Sequence, residues 1–292
     1  MGVRTNQEII DRWRDEPAPF LPILHNFHDR DGYLSEEALK DVSRELRIPL
    51  ADLYGTITFY HHFSRKPGGR EEPRVCTGPV CALKGAHGIL EALASQGAHA
   101  MPCAGRCDDP VPVLKGGQAL AGLSADTLKE SGSPLPPLPQ EGVEECVFAH
   151  LRERSGKGIA GYRATGGYRA LVHTLGGMDP DGSLETLKTS GLSGRGGAGF
   201  PAWRKWMAVR EAVGDPKSIV CNADEGEPGC FKDRALMDHD PHAVLEGMIL
   251  AGFVTGAPRR FIYLRDEYPA TERILEEAIR EAEAAGLLGD GI

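Results

Sequence analysis

The chain has 292 residues, 41% of them hydrophobic, and a formal net charge of −9 from 33 basic and 42 acidic side chains. That length and apolar content suit two or three domains with sizeable cores, and the acidic balance argues against a general nucleic-acid binder, which relies on basic surface. No hydrophobic stretch follows a basic start as in a secretory signal; the longest apolar run, Ala243 to Ala257, contains Glu246, is too short to span a bilayer, and reads as a buried helix.

Residues 5–70 are predicted to be helical. Ile9, Ile10 and Trp13 are spaced like one helix face, and Phe20, Ile23, Leu24 and Phe27 continue the pattern. Ser35 is a candidate N-cap for the next helix, and Leu50 to Phe63 forms a third amphipathic stretch. Asp29, Asp31 and Gly32 hint at a calcium loop. Placing Gly32 at the sixth loop position puts Phe27 first and Ala38 twelfth, where carboxylates are required, so calcium is rejected.

Between 73 and 130 the pattern changes to a small α/β unit. Expected here are a strand at Pro73 to Cys76, a helix over 83–95 and a strand over 98–102. A hairpin from Val111 to Ala121 turns at Gly116-Gly117, and a last helix runs from Ser124 to Glu130. Residues 131–142 are Pro-rich, stiff and poor in sheet donors. Beyond them, 161–190 reads as helical in two pieces, followed by a glycine-rich loop and a helix over 202–213. A strand at Lys217 to Cys221, a helix over 241–256, a strand from Arg260 to Arg265 and a helix over 270–285 then alternate as in a parallel α/β layer. The expected organisation is a helical bundle (1–70), a small α/β domain (71–130), a linker (131–143) and the N-terminal part of a second α/β domain (144–292).

Seven cysteines, an odd number in clustered spacings, fit a reducing cytosolic setting with metal-bound thiolates better than a disulfide framework. Four residues separate Cys76 from Cys81 and three separate Cys103 from Cys107, and each pair follows a predicted strand. Loops could present all four thiolates together, as zinc or an iron–sulfur cluster requires. Cys146, Cys221 and Cys230 match no ligand pattern and read as structural thiols.

The second dense region is Gly194-Arg195-Gly196-Gly197-Ala198-Gly199-Phe200, followed by Trp203, Lys205 and Trp206. Glycines bring bare backbone amides close to a ligand, and a further polar segment at 221–234 supplies acids. A site for a phosphorylated, hydroxyl-rich, flat cofactor fits these residues better than a packed core. Gly194, Gly196 and Gly199 satisfy G-x-G-x-x-G, but Leu184 to Ser190 reads as helix rather than strand, so an ordinary dinucleotide-binding start is not indicated.

Cys76-Thr77-Gly78-Pro79-Val80-Cys81 with Lys84-Gly85-Ala86, then Cys103-Ala104-Gly105-Arg106-Cys107, resembles the thioredoxin-like [2Fe–2S] ferredoxin of the small NADH-module subunit of respiratory complex I. The resemblance covers roughly residues 15–128 and extends to Gly32-Tyr33-Leu34-Ser35 and Thr58-Phe59-Tyr60. It implies Cys76, Cys81, Cys103 and Cys107 as cluster ligands. Asp108-Asp109 departs from the family, and two carboxylates near the cluster are expected to lower its reduction potential.

Residues 190–201 and 222–229 are similar to the FMN- and NADH-binding motifs of the complex I flavoprotein subunit, a resemblance covering about 160–292. It implies that Gly194, Arg195, Gly196, Gly197 and Gly199 lie in the loop against FMN and that Lys205 supplies a cation. Asn222, Asp224 and Glu225 would hydrogen-bond the ribityl chain or ring, Phe200 would stack on the dinucleotide, and Glu227 would sit near the nicotinamide. Ser193 stands where Arg is common, Cys230 replaces Thr, and Trp203-Arg204 replaces Gly-Leu.

The fold expected is therefore α/β: an N-terminal helical bundle, a thioredoxin-like ferredoxin domain, then a partial Rossmann-like flavin domain. The fusion is like the diaphorase subunits of NAD-reducing hydrogenases and NAD-dependent formate dehydrogenases. It implies hydride transfer between NAD(H) and FMN, one-electron relay through iron–sulfur centres, and partners among the subunits of a hydrogenase, formate dehydrogenase or complex I. A cytoplasmic location is expected, free or at the cytoplasmic face of a membrane complex, with no nucleic acid and no membrane span of its own. The family continues past this point with a second FMN-contacting segment, a ubiquitin-like domain and a [4Fe–4S] domain, so the chain reads as truncated. Two alternatives remain: a non-catalytic [2Fe–2S] electron-transfer or assembly module, and a zinc-binding scaffold.

Overall fold

The computed structural model describes residues 4–289 and divides into two compact units, Met1–Ser131 and Gly132–Ile292. Helix α1 (Asn6–Trp13) starts at Thr5, whose side chain accepts from the Glu8 amide while Glu8 reaches back to the Thr5 amide. Helix α2 (Phe20–Asp31) ends at Gly32 with φ of 74°, a left-handed cap. The Asp29, Asp31, Gly32 run is thus a helix end, with Asp31 paired to Arg30 at 2.6 Å and Asp29 to Arg70 at 2.6 Å. Helices α3 (Glu36–Leu46), capped by Ser35, and α4 (Leu50–Phe59) complete the bundle. Ile10, Ile23, Leu24, Phe27, Leu39, Val42 and Leu53 are fully buried at its centre. Shortening Ile10 to valine removes one methyl from this core and is expected to cost about 1 kcal/mol in urea unfolding.

The rest of the first unit is built on β1 (Arg74–Cys76), α5 (Pro79–Leu83), α6 (Ala86–Ala92), β2 (His99–Met101), β3 (Pro112–Lys115), β4 (Gln118–Ala121) and β5 (Lys129–Glu130). The sheet order is β2-β1-β3-β4-β5, with β1 and β2 parallel and the other pairs antiparallel. The helix expected over 83–95 is broken by Gly85, at φ of 90°, so α5 and α6 are separate. The helix expected over 124–130 is only a 3₁₀ turn at Ala125–Thr127, held by mutual Ser124 and Thr127 hydrogen bonds. The chain then pairs with β4, Leu120 opposite Glu130, so the sheet edge overrides the local helical pattern.

In the second unit, residues 132–140 have no regular structure, but side-chain bonds tie them to later segments of the unit. The Ser133 hydroxyl bonds Asp238, and Arg152 donates to the carbonyls of Pro136 and Pro137 while pairing with Glu145. Four short helices come next: α7 (Leu151–Arg154), α8 (Gly158–Ala164), α9 (Arg169–Gly177) and α10 (Pro180–Thr189). The stretch 161–190 therefore falls into three helical pieces rather than two. The breaks are a left-handed Tyr168, at φ of 61°, and a fresh N-cap at Asp179. Helix α11 (Ala202–Glu211), strand β6 (Ser218–Ala223), α12 (Lys232–His239), α13 (Pro241–Thr255), β7 (Arg259–Leu264) and α14 (Pro269–Ala284) complete the unit. Strands β6 and β7 are parallel, in register from Ser218 opposite Arg259 to Ala223 opposite Leu264.

Helix α13 is the buried axis of this unit; α8 to α12, α14 and both strands pack on it. Its Glu246 is 7% exposed and accepts from the Tyr162 hydroxyl, the Tyr168 amide at 2.9 Å and the Leu171 amide at 3.0 Å. One turn earlier, His242 bridges Tyr168 and Glu281. Among the described residues no helix is long and apolar enough to cross a membrane.

Candidate functional site

The parallel pairing of β1 and β2 sets Cys76 opposite Met101, so the loops that leave these two strands start side by side. Cys76 closes β1, Cys81 lies in α5, and Cys103 and Cys107 follow β2. Cys76, Cys81 and Cys103 are buried and Cys107 is partly exposed. The Cys103 and Cys107 sulfurs are 3.6 Å apart, and the Ala104 amide donates to the Cys76 sulfur at 3.4 Å. A hydrogen bond with Cys81 holds the Cys76 thiol down to about 6, and the same contact pushes Cys81 up. The structure thus brings the four predicted sulfurs together.

Gly78 eases this approach. A Cβ there would stand 3.0 Å from Cys103 Cβ and 3.2 Å from its Cα, so any larger residue would push the two cysteine loops apart by a few tenths of an ångström. The donor set is all sulfur, largely shielded from water and already supplied with an amide hydrogen bond, which fits an iron–sulfur cluster. Arg106, between the last two cysteines, is 2% exposed and donates to the Ser131 hydroxyl at 3.0 Å. Sequence reading passed over it; an arginine inside a ligand loop was the available signal.

The glycine loop runs from the end of α10 to α11. Its stem is an antiparallel bridge between Ser193 and Pro201, reinforced by Gly194 N to Phe200 O and Ala202 N to Leu192 O, both 2.9 Å. Inside that stem the backbone turns through Gly197, at φ of 114°, and Gly199, at 60°. A Cβ on Gly196, Gly197 or Gly199 would meet nothing within 4 Å, and among the described residues no backbone acceptor engages the amides of 195–199. Arg195, Phe200 and Lys205 are exposed. Trp203 lies under two cations, Lys188 at 5.6 Å and Arg204 at 5.3 Å from its ring centre.

The acidic loop leaves the end of β6. Asn222 Oδ1 accepts from the Asp224 amide at 3.1 Å, and Asp224 pairs with Arg265 at 3.2 Å. Glu225 turns inward, 6% exposed: Oε1 meets Lys232 Nζ at 3.0 Å, and Oε2 accepts from the Asp233 and Arg234 amides at the start of α12. Asn222, Asp224 and Glu227 stay exposed. The glycine loop and the acidic loop therefore open from α11 and β6, both packed on α13. The bare amides, the exposed cations and the exposed acids fit a flavin phosphate, its ribityl chain and its ring. Lys232 and Arg265, which shape the acidic loop, were missed from sequence because each pairs through the fold.

Comparison with known proteins fits these two constellations. Residues 6–115 match the family described as thioredoxin-like [2Fe–2S] ferredoxin, and residues 187–289 match the Nuo51 FMN-binding domain. The chain is similar to an NADH-quinone oxidoreductase subunit of Rhizobium meliloti (strain 1021), 50% identical over 51% of this chain and 35% of that protein. It is 30% identical to NAD-reducing hydrogenase HoxS subunit alpha of Cupriavidus necator, over 97% of this chain and 52% of that protein. The crystal structure of an NAD+-reducing [NiFe]-hydrogenase in the air-oxidized state superposes with a TM-score of 0.72 at 26% identity, over 91% of this chain and 49% of that one. The chain thus spans about half, or less, of the length of these relatives. One polypeptide thus carries a segment matching the thioredoxin-like [2Fe–2S] ferredoxin family and a segment matching the Nuo51 FMN-binding domain.

Proposed function

We propose that the chain is the NAD(H)-facing electron-transfer part of a multisubunit oxidoreductase. It works with partner subunits of a hydrogenase, formate dehydrogenase or complex I type, in the cytoplasm. The observation that carries this reading is the open loop 195–199, whose amides meet no backbone acceptor among the described residues, in one polypeptide with four clustered cysteines. FMN, when bound, supplies the exchange of an electron pair with nicotinamide for single electrons, a chemistry no side chain offers.

The chain's residues hold and orient that group. Gly194, Gly196, Gly197 and Gly199 let the backbone approach closely, and Arg195 and Lys205 supply positive charge. Asn222 and Asp224 accept from hydroxyls. Phe200, 54% exposed, offers its ring for stacking, and Glu227 would sit near the nicotinamide. Glu225 has both oxygens engaged, so its part is to fix the acidic loop on α12. Cys76, Cys81, Cys103 and Cys107 hold the [2Fe–2S] centre.

Titrating the chain with FMN under flavin fluorescence, then adding NADH, tests this reading: FMN binds and NADH bleaches its absorption band. A side chain at Gly197 must adopt a φ that costs about 1–3 kcal/mol. Gly197→Val is therefore expected to weaken FMN binding about ten-fold or more while leaving iron content unchanged. The alternative reading is a [2Fe–2S] electron-transfer or assembly module without catalysis. Iron–sulfur colour without FMN binding or NADH oxidation selects it.

A further inference from the structure

We propose that Arg106 sets the reduction potential of the cysteine-bound centre, and that Ser131 holds it in position to do so. The proposal rests on the reading of Cys76, Cys81, Cys103 and Cys107 as [2Fe–2S] ligands.

Arg106 sits between two of these cysteines, one residue before Cys107, in a loop whose Ala104 and Gly105 are also buried. Its side chain is among the largest fully buried ones in the protein. Burying a guanidinium is costly unless its donors are satisfied and its charge is answered. A hydroxyl meets part of the first need: Nη1 donates to Ser131 Oγ at 3.0 Å. That hydroxyl in turn donates to Asp109 Oδ2 at 2.9 Å, and the Ser131 amide is fixed to Ala119 O on β4 at 2.8 Å. The Asp109 amide closes the turn on Arg106 O at 3.0 Å.

Asp109 is therefore part of the clamp on Arg106 through the same serine hydroxyl, and Asp108 is partly exposed, where water screens its charge. The arginine is fully buried and permanently charged. A [2Fe–2S] centre with four thiolates is dianionic when oxidised and trianionic after gaining one electron. A buried cation in its ligand loop stabilises the more negative, reduced form, which raises the potential.

The test is a dithionite redox titration of the full chain followed by visible circular dichroism and by EPR of the reduced state, with iron and sulfide measured on each variant. In Arg106→Gln, iron and sulfide are retained. At the potential that half-reduces the wild-type centre, the reduced-to-oxidised ratio falls about ten-fold, a downward shift of about 59 mV for one electron. Ser131→Ala shifts the potential in the same direction by less, and Arg106→Lys returns most of it. An unchanged or raised potential in Arg106→Gln with iron and sulfide intact overturns the proposal. Should Arg106→Gln lose the centre, the other two variants decide: wild-type potential in both overturns it, and a lowered potential in Ser131→Ala alone supports it. Zinc, or no iron, in the wild-type chain overturns the [2Fe–2S] reading itself, which iron analysis reports independently of any shift.

Discussion

Cys103→Ser is expected to reduce the iron and sulfide of the purified chain to background and to abolish its visible absorption above the protein band. Cys103 is 7% exposed and its sulfur lies 3.6 Å from that of Cys107, so its replacement removes one of four soft donors from a shielded site. Serine's hydroxyl is a hard, weakly acidic ligand that does not substitute for a thiolate at neutral pH. Two controls separate a cluster from general thiol chemistry. Cys146 is exposed and Cys221 belongs to β6 in the other unit, so Cys146→Ser and Cys221→Ser leave the iron content unchanged. Iron retained in Cys103→Ser would remove that cysteine from the ligand set.

Glu246→Leu is expected to destabilise the second unit by about 4 kcal/mol, read as a lower urea midpoint. Three donors converge on this carboxylate: the Tyr162 hydroxyl and the Tyr168 and Leu171 amides. Leucine leaves all three buried without their acceptor, at about 1–3 kcal/mol each, partly offset by the new apolar contact. Tyr162→Phe removes one donor only and costs about 1 kcal/mol. Burial, and then the bond to Glu246, push the Tyr162 phenol well above its usual range. Its folded-state value lies above its unfolded one, so its stabilising contribution is complete below the ordinary tyrosine range and declines as the pH rises through it.

Much of this architecture was legible because local and global signals agreed. Ser35 caps α3, Gly116-Gly117 turns the hairpin between β3 and β4, and the parallel β6 and β7 lie close to where strand composition put them. Helix α13 reads as buried because its apolar run leaves no polar face. Two of the misreadings share one cause: long-range pairing competing with a local pattern. Lys129-Glu130 has helical composition, yet the free edge of β4 takes it as a strand. Tyr168 breaks the stretch before α9 because its amide and its hydroxyl are held by Glu246 and His242, two side chains far along the sequence.

The site was legible in the same uneven way. The four cysteines and the glycine loop announce themselves by residue type and spacing. The side chains that support them do not: Arg106 finds Ser131, Glu225 finds Lys232, and Asp224 finds Arg265 only once the chain has folded. Glu225 stands in a run of acids in the sequence, and the Lys232 pair and the start of α12 account for its burial.

The bridge between Ser193 and Pro201 has a kinetic meaning as well. A loop pinned at its neck has already surrendered part of its conformational entropy before any guest arrives. Capture then resembles docking into a preformed mould rather than folding around a template, and association speed is governed by encounter instead of by chain rearrangement.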